Sequence, residues 1–269
     1  MKHPIPGSRV IITGASSGIG RELAIQLARA GAKIVISARR EDRLAEVAAQ
    51  ICAEAEKAGR TPCVEIVPGD ITADETRQKI IQRTRDAYGG LDILINNAGA
   101  AASGLFENNT PETLRKVLDL NVVSLVEMTR LAIPLLKRET RAMIVNLSSI
   151  VGIHGVSHYS EYCAAKFAVR GFSQSLRIEL RQYGIDVLTV CPGSTETEFF
   201  TRYIENTGEP TFPPHRRVSP EYVAGQIVRA IQKGKHEIIP FFLGKVLRFV
   251  DYWAPGILDS VLAGYVEKK

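Results

Sequence analysis

Short apolar runs alternate with longer amphipathic segments along most of this 269-residue chain. The runs at 10–12, 34–36 and 93–95 are apolar without alternation, which is typical of parallel strands covered on both faces. Strands that alternate with helices require right-handed crossovers and build a doubly wound sheet. We therefore predict an α/β fold with a Rossmann-like parallel sheet of about seven strands and helices on both faces.

Glycine and proline mark where the predicted elements begin and end. Gly31 and Gly59 stand where helices should stop, while Ser219 and Pro220 offer an N-cap and a first helical residue. The predicted strands are Arg9–Thr13, Lys33–Ser37, Val64–Pro68, Leu91–Asn96, Ala142–Leu147, Asp186–Cys191 and Glu237–Pro240, and the predicted helices are Gly20–Ala30, Arg40–Ala58, Thr72–Tyr88, Pro111–Arg138, His158–Tyr183 and Pro220–Lys233.

No internal repeat or linker divides the sequence, so we predict one domain over residues 1–269. The formal charge of +5 is spread along the chain, which favours an anionic small ligand over nucleic acid. Four scattered cysteines form no metal-binding or disulfide pattern and suit a reducing compartment. With no secretory apolar segment at the N-terminus, we expect a cytoplasmic protein. The scattered cysteines also lead us to expect no metal site.

The segment TGASSGIG joins the first predicted strand to the first predicted helix at Thr13–Gly20. Glycines let the backbone turn tightly and approach a pyrophosphate, whose charge meets the free N–H groups of the helix N-terminus. An ordinary tight turn is the alternative. The position in the first strand–helix–strand unit favours dinucleotide binding.

The end of the second predicted strand indicates which dinucleotide binds. An acid at this position usually holds the ribose 2′-hydroxyl of NAD, but this chain has Arg39 and Arg40 there. A guanidinium group suits a 2′-phosphate, so NADP(H) is preferred over NAD(H). In the alternative interpretation, these arginines form a solvated start of the next helix.

Further polar residues follow the third and fourth predicted strands. Asp70, next to Ile71, either accepts from an adenine amino group or caps the following helix. The small residues of Asn97-Ala98-Gly99 let a cofactor lie close to the strand end.

Tyr162 and Lys166 are spaced to share one face of a helix. Hydride transfer to a carbonyl leaves an alkoxide, which needs a proton donor near the oxygen. A free tyrosine has a pKa of about 10, and a nearby ammonium group together with an oxidised nicotinamide favours the phenolate. We therefore predict that Tyr162 exchanges the proton, with a lowered pKa.

Two other polar residues strengthen this hypothesis. Ser149 follows the fifth predicted strand and can donate to the same carbonyl oxygen. Ser148 competes for the role, although strand alternation lets only one of the two face the site directly. Asn121 is an amide in an apolar setting, either bonded to its own helix or anchoring a water in a proton relay.

The motifs TGASSGIG, NNAG, LNV, NLSS, YCAAK and CPG occur between Val10 and Gly193 in an order and spacing that resemble a short-chain dehydrogenase/reductase of the non-extended type. The resemblance implies that Tyr162 is the general acid and base and that Ser149 polarises the substrate carbonyl. It also implies that Lys166 binds the nicotinamide ribose and lowers the tyrosine pKa, while Asn121 holds the relay water.

The resemblance implies further cofactor contacts. Thr197 would touch the nicotinamide carboxamide, with Thr195 as a possible substitute. With the glycine loop and the arginines included, the candidate cofactor residues are Gly14, Ser16, Ser17, Gly18, Ile19, Gly20, Arg39, Arg40, Asp70, Ile71, Asn97, Ala98, Gly99, Tyr162, Lys166, Pro192, Gly193, Thr195 and Thr197.

Two segments near the C-terminus bear on substrate and partners. By position, residues 195–217 form a substrate lid whose aromatic content favours a bulky, lipophilic substrate; simple packing on the domain is the alternative. The apolar tail at 241–269 covers a neighbouring subunit or the substrate mouth, or else it lies on a membrane surface. Family members pair through the long helices here predicted at Pro111–Arg138 and His158–Tyr183, which implies a homodimer or homotetramer.

Taken together, these features predict an oxidoreductase that moves a hydride between NADP(H) and a carbonyl or secondary alcohol. The favoured substrates of this small-molecule enzyme are lipophilic ketones and 3-oxoacyl compounds. The alternative is an NADP-binding sensor of the same fold without turnover. A sensor has no need of Ser149, Tyr162 and Lys166 together.

Overall fold

The predicted parallel sheet is confirmed in a computed structural model that describes residues 2–208 and 217–266. Seven parallel strands lie in the order β3-β2-β1-β4-β5-β6-β7. The strands are β1 (Arg9–Thr13), β2 (Lys33–Ala38), β3 (Val64–Pro68), β4 (Ile93–Asn96), β5 (Met143–Leu147), β6 (Asp186–Val190) and β7 (Glu237–Ile238).

The helices that connect the strands follow the predicted order, and two more follow β7. They are α1 (Gly18–Arg29), α2 (Glu41–Lys57), α3 (Asp74–Tyr88), α4 (Pro111–Leu118), α5 (Ser124–Leu136), α6 (Ser160–Leu180), α7 (Pro220–Gln232), α8 (Phe242–Trp253) and α9 (Pro255–Val266).

Both faces of the sheet are covered, as the continuous apolar runs predict. Val10 and Ile12 of β1 pack in the layer built with α1, α2 and α7, whereas Ile11 packs in the layer built with α3, α5 and α6. Strand order reverses between β1 and β4, because β2 continues to one side and β5 to the other. In doubly wound sheets this reversal opens a crevice at the carboxyl ends of the strands, where ligands bind.

Several predicted boundaries move for local reasons. The helix predicted over Pro111–Arg138 contains a π-helical turn at Asp119–Val123 between α4 and α5. β7 ends at Ile238, two residues before Pro240, which has no N–H to continue a ladder. α6 begins at Ser160 because His158 has a positive φ of 66°.

The C-terminal region contains the two helices that sequence patterns did not predict. α8 and α9 follow β7 directly. Of the predicted lid, residues 209–216 lie outside the described residues, as do residues 267–269 of the tail. None of the helices within 2–208 and 217–266 has the length and apolar character needed to cross a bilayer.

Candidate active site

A cavity of about 810 Å³ opens at the carboxyl ends of the strands, where the fold predicts a ligand. Its wall contains most of the residues selected from the sequence. Gly20 and Asn121 are the exceptions, since neither lines the cavity although both lie next to residues that do.

The glycine loop leaves the N-terminus of α1 open to this cavity. Gly14 and Gly18 have φ values of 67° and 55°, which side chains rarely adopt. Ser17 stands at the N-cap of α1 and makes no side-chain capping bond within the described chain, so the first N–H groups of the helix lack that partner. Such a helix end binds anions, and the loop therefore fits the pyrophosphate of a dinucleotide.

Gly20 packs against the back of the loop and does not line the cavity. A Cβ atom at this position would lie 2.3 Å from the carbonyl oxygen of Gly14 and 2.4 Å from the side-chain nitrogen of Asn97. The structure thus gives Gly20 a packing role, and its contact with a cofactor stays a prediction. Only a glycine lets α1 pack this closely on the loop.

Asn97 ties the end of β4 to the glycine loop. Its Nδ2 donates to the carbonyl oxygens of Thr13 and Gly14, both at 3.0 Å. The backbone N–H groups of Asn97 and Ala98 donate to Thr13 Oγ1 at 3.0 and 3.1 Å. Ala98 and Gly99 line the cavity beside this joint, where their small size leaves room for a ligand.

Asp70 closes a turn at the end of β3 and also lines the cavity with Ile71. Its Oδ1 accepts from the backbone N–H of Thr72 at 2.9 Å and from Thr72 Oγ1 at 2.8 Å. The N-cap of α3 is Ala73, so Asp70 shapes the turn ahead of the helix and is not its cap.

The two arginines after β2 have different surroundings. Arg39 is exposed, lines the cavity and pairs with no acid in the described part of the chain. Arg40 donates through Nη2 to Ser17 Oγ at 2.9 Å and through Nη1 to Glu198 Oε2 at 2.8 Å. Arg40 is the N-cap residue of α2, but its side chain is anchored at the cavity wall and is not simply solvated. Its partner Glu198 was missed, because nothing in the sequence relates positions so far apart.

α6 carries Tyr162 and Lys166 into the cavity, and both are buried. Lys166 Nζ donates to the carbonyl oxygen of Leu147 at 3.0 Å and lies 5.5 Å from the centre of the Tyr162 ring. Ser149 Oγ donates to the Pro192 carbonyl oxygen at 3.5 Å and accepts from the Val151 N–H at 3.3 Å, and its hydroxyl acts to lower the pKa of Tyr162. Ser148 Oγ instead donates to the Lys166 carbonyl oxygen at 2.8 Å, so this hydroxyl is engaged with the backbone of α6.

Burial controls the electrostatics of this pair in the protein without cofactor. Burial raises the pKa of Tyr162 above its usual range, and the hydroxyl of Ser149 opposes the rise only in part. Burial also lowers the pKa of Lys166, to about 8. In the protein alone the loss of solvent outweighs the attraction of an ammonium group 5.5 Å away, so Tyr162 stays protonated at neutral pH.

Asn121 combines the two interpretations offered for it. Its Nδ2 donates to the carbonyl oxygens of Ala100 and Val117 at 2.8 and 2.9 Å, so the amide is bonded to its own helix. Its Oδ1 is buried without a hydrogen-bond partner among the described residues. A Cβ atom at Gly99 would lie 2.6 Å from this oxygen and 3.4 Å from Lys166 Nζ. A buried acceptor of this kind calls for a donor such as a water.

The segment after β6 closes the cavity from the other side. Thr197 Oγ1 accepts from the backbone N–H of Phe199 at 3.3 Å, and Thr195 Oγ1 donates to the Gly193 carbonyl oxygen at 3.1 Å. Both threonines line the cavity together with Pro192 and Gly193. Each can therefore reach a ligand, so the choice between them stays open.

The substrate end of the cavity is apolar. The ring of Phe199 packs against that of Tyr162, with 5.4 Å between ring centres. The tail contributes Leu243, Leu247 and Leu262, which were not among the candidate site residues. Leu243 and Leu247 are four residues apart on α8. This spacing indicates a shared helix face only in a helix, and the sequence patterns did not predict a helix in the tail.

Comparison with known proteins gives the same family throughout. A family model for short chain dehydrogenases matches residues 8–208. The chain is 32% identical to 3-ketodihydrosphingosine reductase of Bos taurus over 238 residues, which are 86% of this chain and 70% of that protein. It is 36% identical to dehydrogenase/reductase SDR family member 7 of Homo sapiens over 209 residues, 74% of this chain and 61% of the human protein.

A solved structure supports the fold. A short chain dehydrogenase/reductase from Burkholderia phymatum in complex with NAD matches with a TM-score of 0.83 and 23% identity, over 95% of this chain and 96% of that chain. The family model spans more than half of the sequence and includes the glycine loop, Ser149, Tyr162 and Lys166. This chain therefore belongs to the short-chain dehydrogenase/reductase family of oxidoreductases.

Proposed function

We propose that this oxidoreductase transfers a hydride between NADP(H) and a carbonyl or secondary alcohol. The observation that carries the proposal is that Ser149, Tyr162 and Lys166 line one cavity at the ends of the strands, with Tyr162 and Lys166 buried. The hydroxyl groups of Ser149 and Tyr162 can both donate to a carbonyl oxygen bound there. Such paired donors stabilise the negative charge that develops on this oxygen.

The residues around this point divide the chemical work. When bound, the cofactor supplies the hydride for reduction or accepts it for oxidation. Ser149 orients the carbonyl, and Tyr162 gives its phenolic proton to the oxygen or takes it back in the reverse direction. Lys166 is held by the Leu147 carbonyl oxygen and places a buried ammonium group beside the ring, where it favours the phenolate after proton transfer.

The preference for NADP(H) is supported by the groups at the end of β2. Arg39 and Arg40 bring two guanidinium groups to the cavity wall, and the segment Ser37–Arg40 contains no acid. A charge-assisted contact of about 1.5–3 kcal/mol corresponds to a preference of roughly ten- to hundredfold. The related Burkholderia phymatum structure contains NAD, so relatives of this fold also use the cofactor without the 2′-phosphate.

The apolar cavity wall supports a lipophilic ketone or a 3-oxoacyl substrate. Phe199, Phe200 and the leucines of α8 and α9 offer no charge to a polar substrate. The relative from Bos taurus is named for the reduction of a keto compound, which is consistent with this class. The tail thus covers the substrate mouth in this proposal.

Assembly and location are part of the proposal. Phe167 and Ile178 leave an exposed apolar stripe on α6, which suits pairing into a homodimer or homotetramer. Phe242, Val246, Phe249 and Trp253 form a second exposed stripe on α8, which offers another subunit contact or a membrane-surface contact. The four cysteines are free thiols, which supports a reducing cytoplasm.

The decisive experiment measures consumption of NADPH and NADH with lipophilic ketones, 3-oxoacyl thioesters and sugar carbonyls. We expect turnover with NADPH on the first or second class and slower turnover with NADH. Equal efficiency with both cofactors would contradict the proposed preference. Tight NADPH binding with no turnover on any class would contradict the enzymatic proposal.

A further inference from the structure

The guanidinium group of Arg40 joins three parts of the cavity wall. It extends from the end of β2, donates to Ser17 Oγ at 2.9 Å and to Ser16 Oγ at 3.2 Å in the glycine loop, and donates to Glu198 Oε2 at 2.8 Å in the segment after β6. All four residues line the cavity. A single side chain therefore connects the region expected to bind the 2′-phosphate with the segment that closes the substrate end.

Glu198 is held as a carboxylate at this place. The hydrogen bond from Arg40 lowers the pKa of the Glu198 carboxyl, and the charges of Arg202 and Arg43 act in the same direction. Arg202 Nε lies 3.1 Å from the same Oε2 atom. Consequently, an anion arriving at Arg40 meets a negative charge already bound there.

A 2′-phosphate and the Glu198 carboxylate need the same donor. The phosphate carries roughly two negative charges and favours the forked geometry of a guanidinium group. A ribose 2′-hydroxyl is uncharged and does not displace a carboxylate. We propose that Glu198 is a cofactor-selectivity residue that competes with the 2′-phosphate of NADP(H) for Arg40.

The competition reaches the substrate end through a short connection. Glu198 begins a 3-10 turn over Glu198–Thr201, and the next residue, Phe199, packs on the ring of Tyr162. Displacement of Glu198 from Arg40 releases the first residue of this turn. The 2′-phosphate thereby influences the wall beside the tyrosine, although it binds at the opposite end of the cofactor.

Glu198→Gln tests the competition because it removes the charge and keeps the shape of the side chain. Binding of 2′,5′-ADP and of 5′-AMP to the full chain is measured by calorimetry, since these probes differ only in the 2′-phosphate. We expect Glu198→Gln to bind 2′,5′-ADP about two- to fivefold more tightly, the upper part of the range for release of a partly exposed ion pair. Affinity for 5′-AMP should stay the same.

Glu196→Gln is the matched control. Glu196 lies two residues away, is exposed and has no ion pair within the described residues. The variant Glu196→Gln removes the same charge from the same segment but breaks no ion pair with Arg40. It should therefore change the affinity for 2′,5′-ADP much less than Glu198→Gln. An equal gain from both variants would reduce the effect to general electrostatics and overturn the proposal. Weaker binding of 2′,5′-ADP by Glu198→Gln would also overturn it, because Glu198 would then position Arg40 for the phosphate.

The inference rests on the proposed preference for NADP(H), and the comparison of the two probes in the native protein separates the two proposals. If the native protein does not prefer 2′,5′-ADP over 5′-AMP, the cofactor proposal fails first. If it does prefer 2′,5′-ADP and Glu198→Gln brings no gain, only the competition fails. In the competition model, adding Glu198→Gln to Arg40→Gln has no further effect, because the shared donor is already absent.

Discussion

At the residue scale, the surroundings of Tyr162 decide which form of its side chain is present. Burial favours the neutral phenol, and Ser149 opposes this only in part. A protonated phenol is the form that can donate a proton to the oxygen of a carbonyl group as it is reduced. The phenolate, which alcohol oxidation requires, depends on the neighbouring positive charges.

The raised pKa of Tyr162 leads to a prediction about pH. The folded protein retains the phenolic proton through the usual tyrosine range, so the rate of carbonyl reduction should stay nearly constant from about pH 6 up to the titration of Lys166, whose pKa is about 8. Alcohol oxidation needs the deprotonated form and should become faster as the pH rises. Initial rates in both directions at saturating cofactor check this. Tyr162→Phe should lower both rates by about 10²–10⁴-fold.

A fall of the reduction rate between about pH 6 and pH 8 would contradict the raised pKa, provided that Tyr162→Phe removes this titration. Binding of NADPH to Tyr162→Phe, followed by fluorescence, is the control for folding. This variant should bind the cofactor nearly as well as the native protein.

The two adjacent serines provide a matched pair. Ser149→Ala removes a donor to the reacting oxygen, and we expect kcat to fall by about 10²–10³-fold with little loss of stability. Ser148→Ala removes the hydrogen bond to the buried Lys166 carbonyl oxygen, so it should lower the free energy of unfolding by about 1–3 kcal/mol and affect kcat less. Steady-state kinetics and denaturant unfolding of both variants distinguish the two roles. A larger loss of kcat in Ser148→Ala would reverse the assignment.

At the scale of elements, the site depends on how closely helices approach strand ends. α1 packs on the glycine loop through Gly20, and the π-helical turn before α5 holds Asn121 against Ala100. These contacts occur where the backbone departs from regular geometry. A side chain or a regular turn at either position would push the helix away from the cavity.

Two glycines in helices test this dependence. Gly20→Ala places a methyl group 2.3 Å from the Gly14 carbonyl oxygen, so we expect a loss of stability of about 1–3 kcal/mol and weaker NADPH binding. In α7, Gly225→Ala meets no atom closer than 3.5 Å and should stabilise the protein by up to about 1 kcal/mol. Thermal unfolding and NADPH titration of both variants check the pair. Equal stability of the two would show that α1 can move away from the loop at little cost.

At the scale of the whole molecule, the sheet is covered on both faces while apolar side chains remain exposed on the outer helices. Ile178 on α6 is 78% exposed and Trp253 on α8 is 70% exposed. Burying a side chain of this size contributes about 1.5–3 kcal/mol. A few such residues from each of two subunits therefore suffice to stabilise a contact between copies.

A charge placed on each exposed stripe tests which one joins the subunits. Ile178→Glu should convert the assembly to monomers in light scattering at micromolar concentration, because family resemblance implies pairing through the long helices. Trp253→Glu should keep the assembly and serves as the control with an equal change of charge. A monomeric Trp253→Glu with an intact Ile178→Glu would instead place the contact on α8.

The amino-acid sequence was enough to predict the parallel sheet, its helical layers and the polar and glycine-rich part of the cavity wall, but not the apolar part that α8 and α9 contribute. These features depend on local signals: continuous apolar runs, glycines at turns, and pairs such as Tyr162 and Lys166 spaced by one helical turn. The fold distinguishes Ser148 from Ser149, since both fit the motif but Ser148 hydrogen-bonds to the backbone of α6.

The tertiary structure also decided the effects that depend on distance and burial. It pairs Arg40 with Glu198 across 158 positions of the sequence and brings leucines of α8 and α9 into the cavity. It also buries Tyr162, which raises the pKa of the phenol in the protein without cofactor, an effect that residue spacing does not record. Residue spacing records which groups can share a helix face, but desolvation and long-range pairing depend on how all elements pack together.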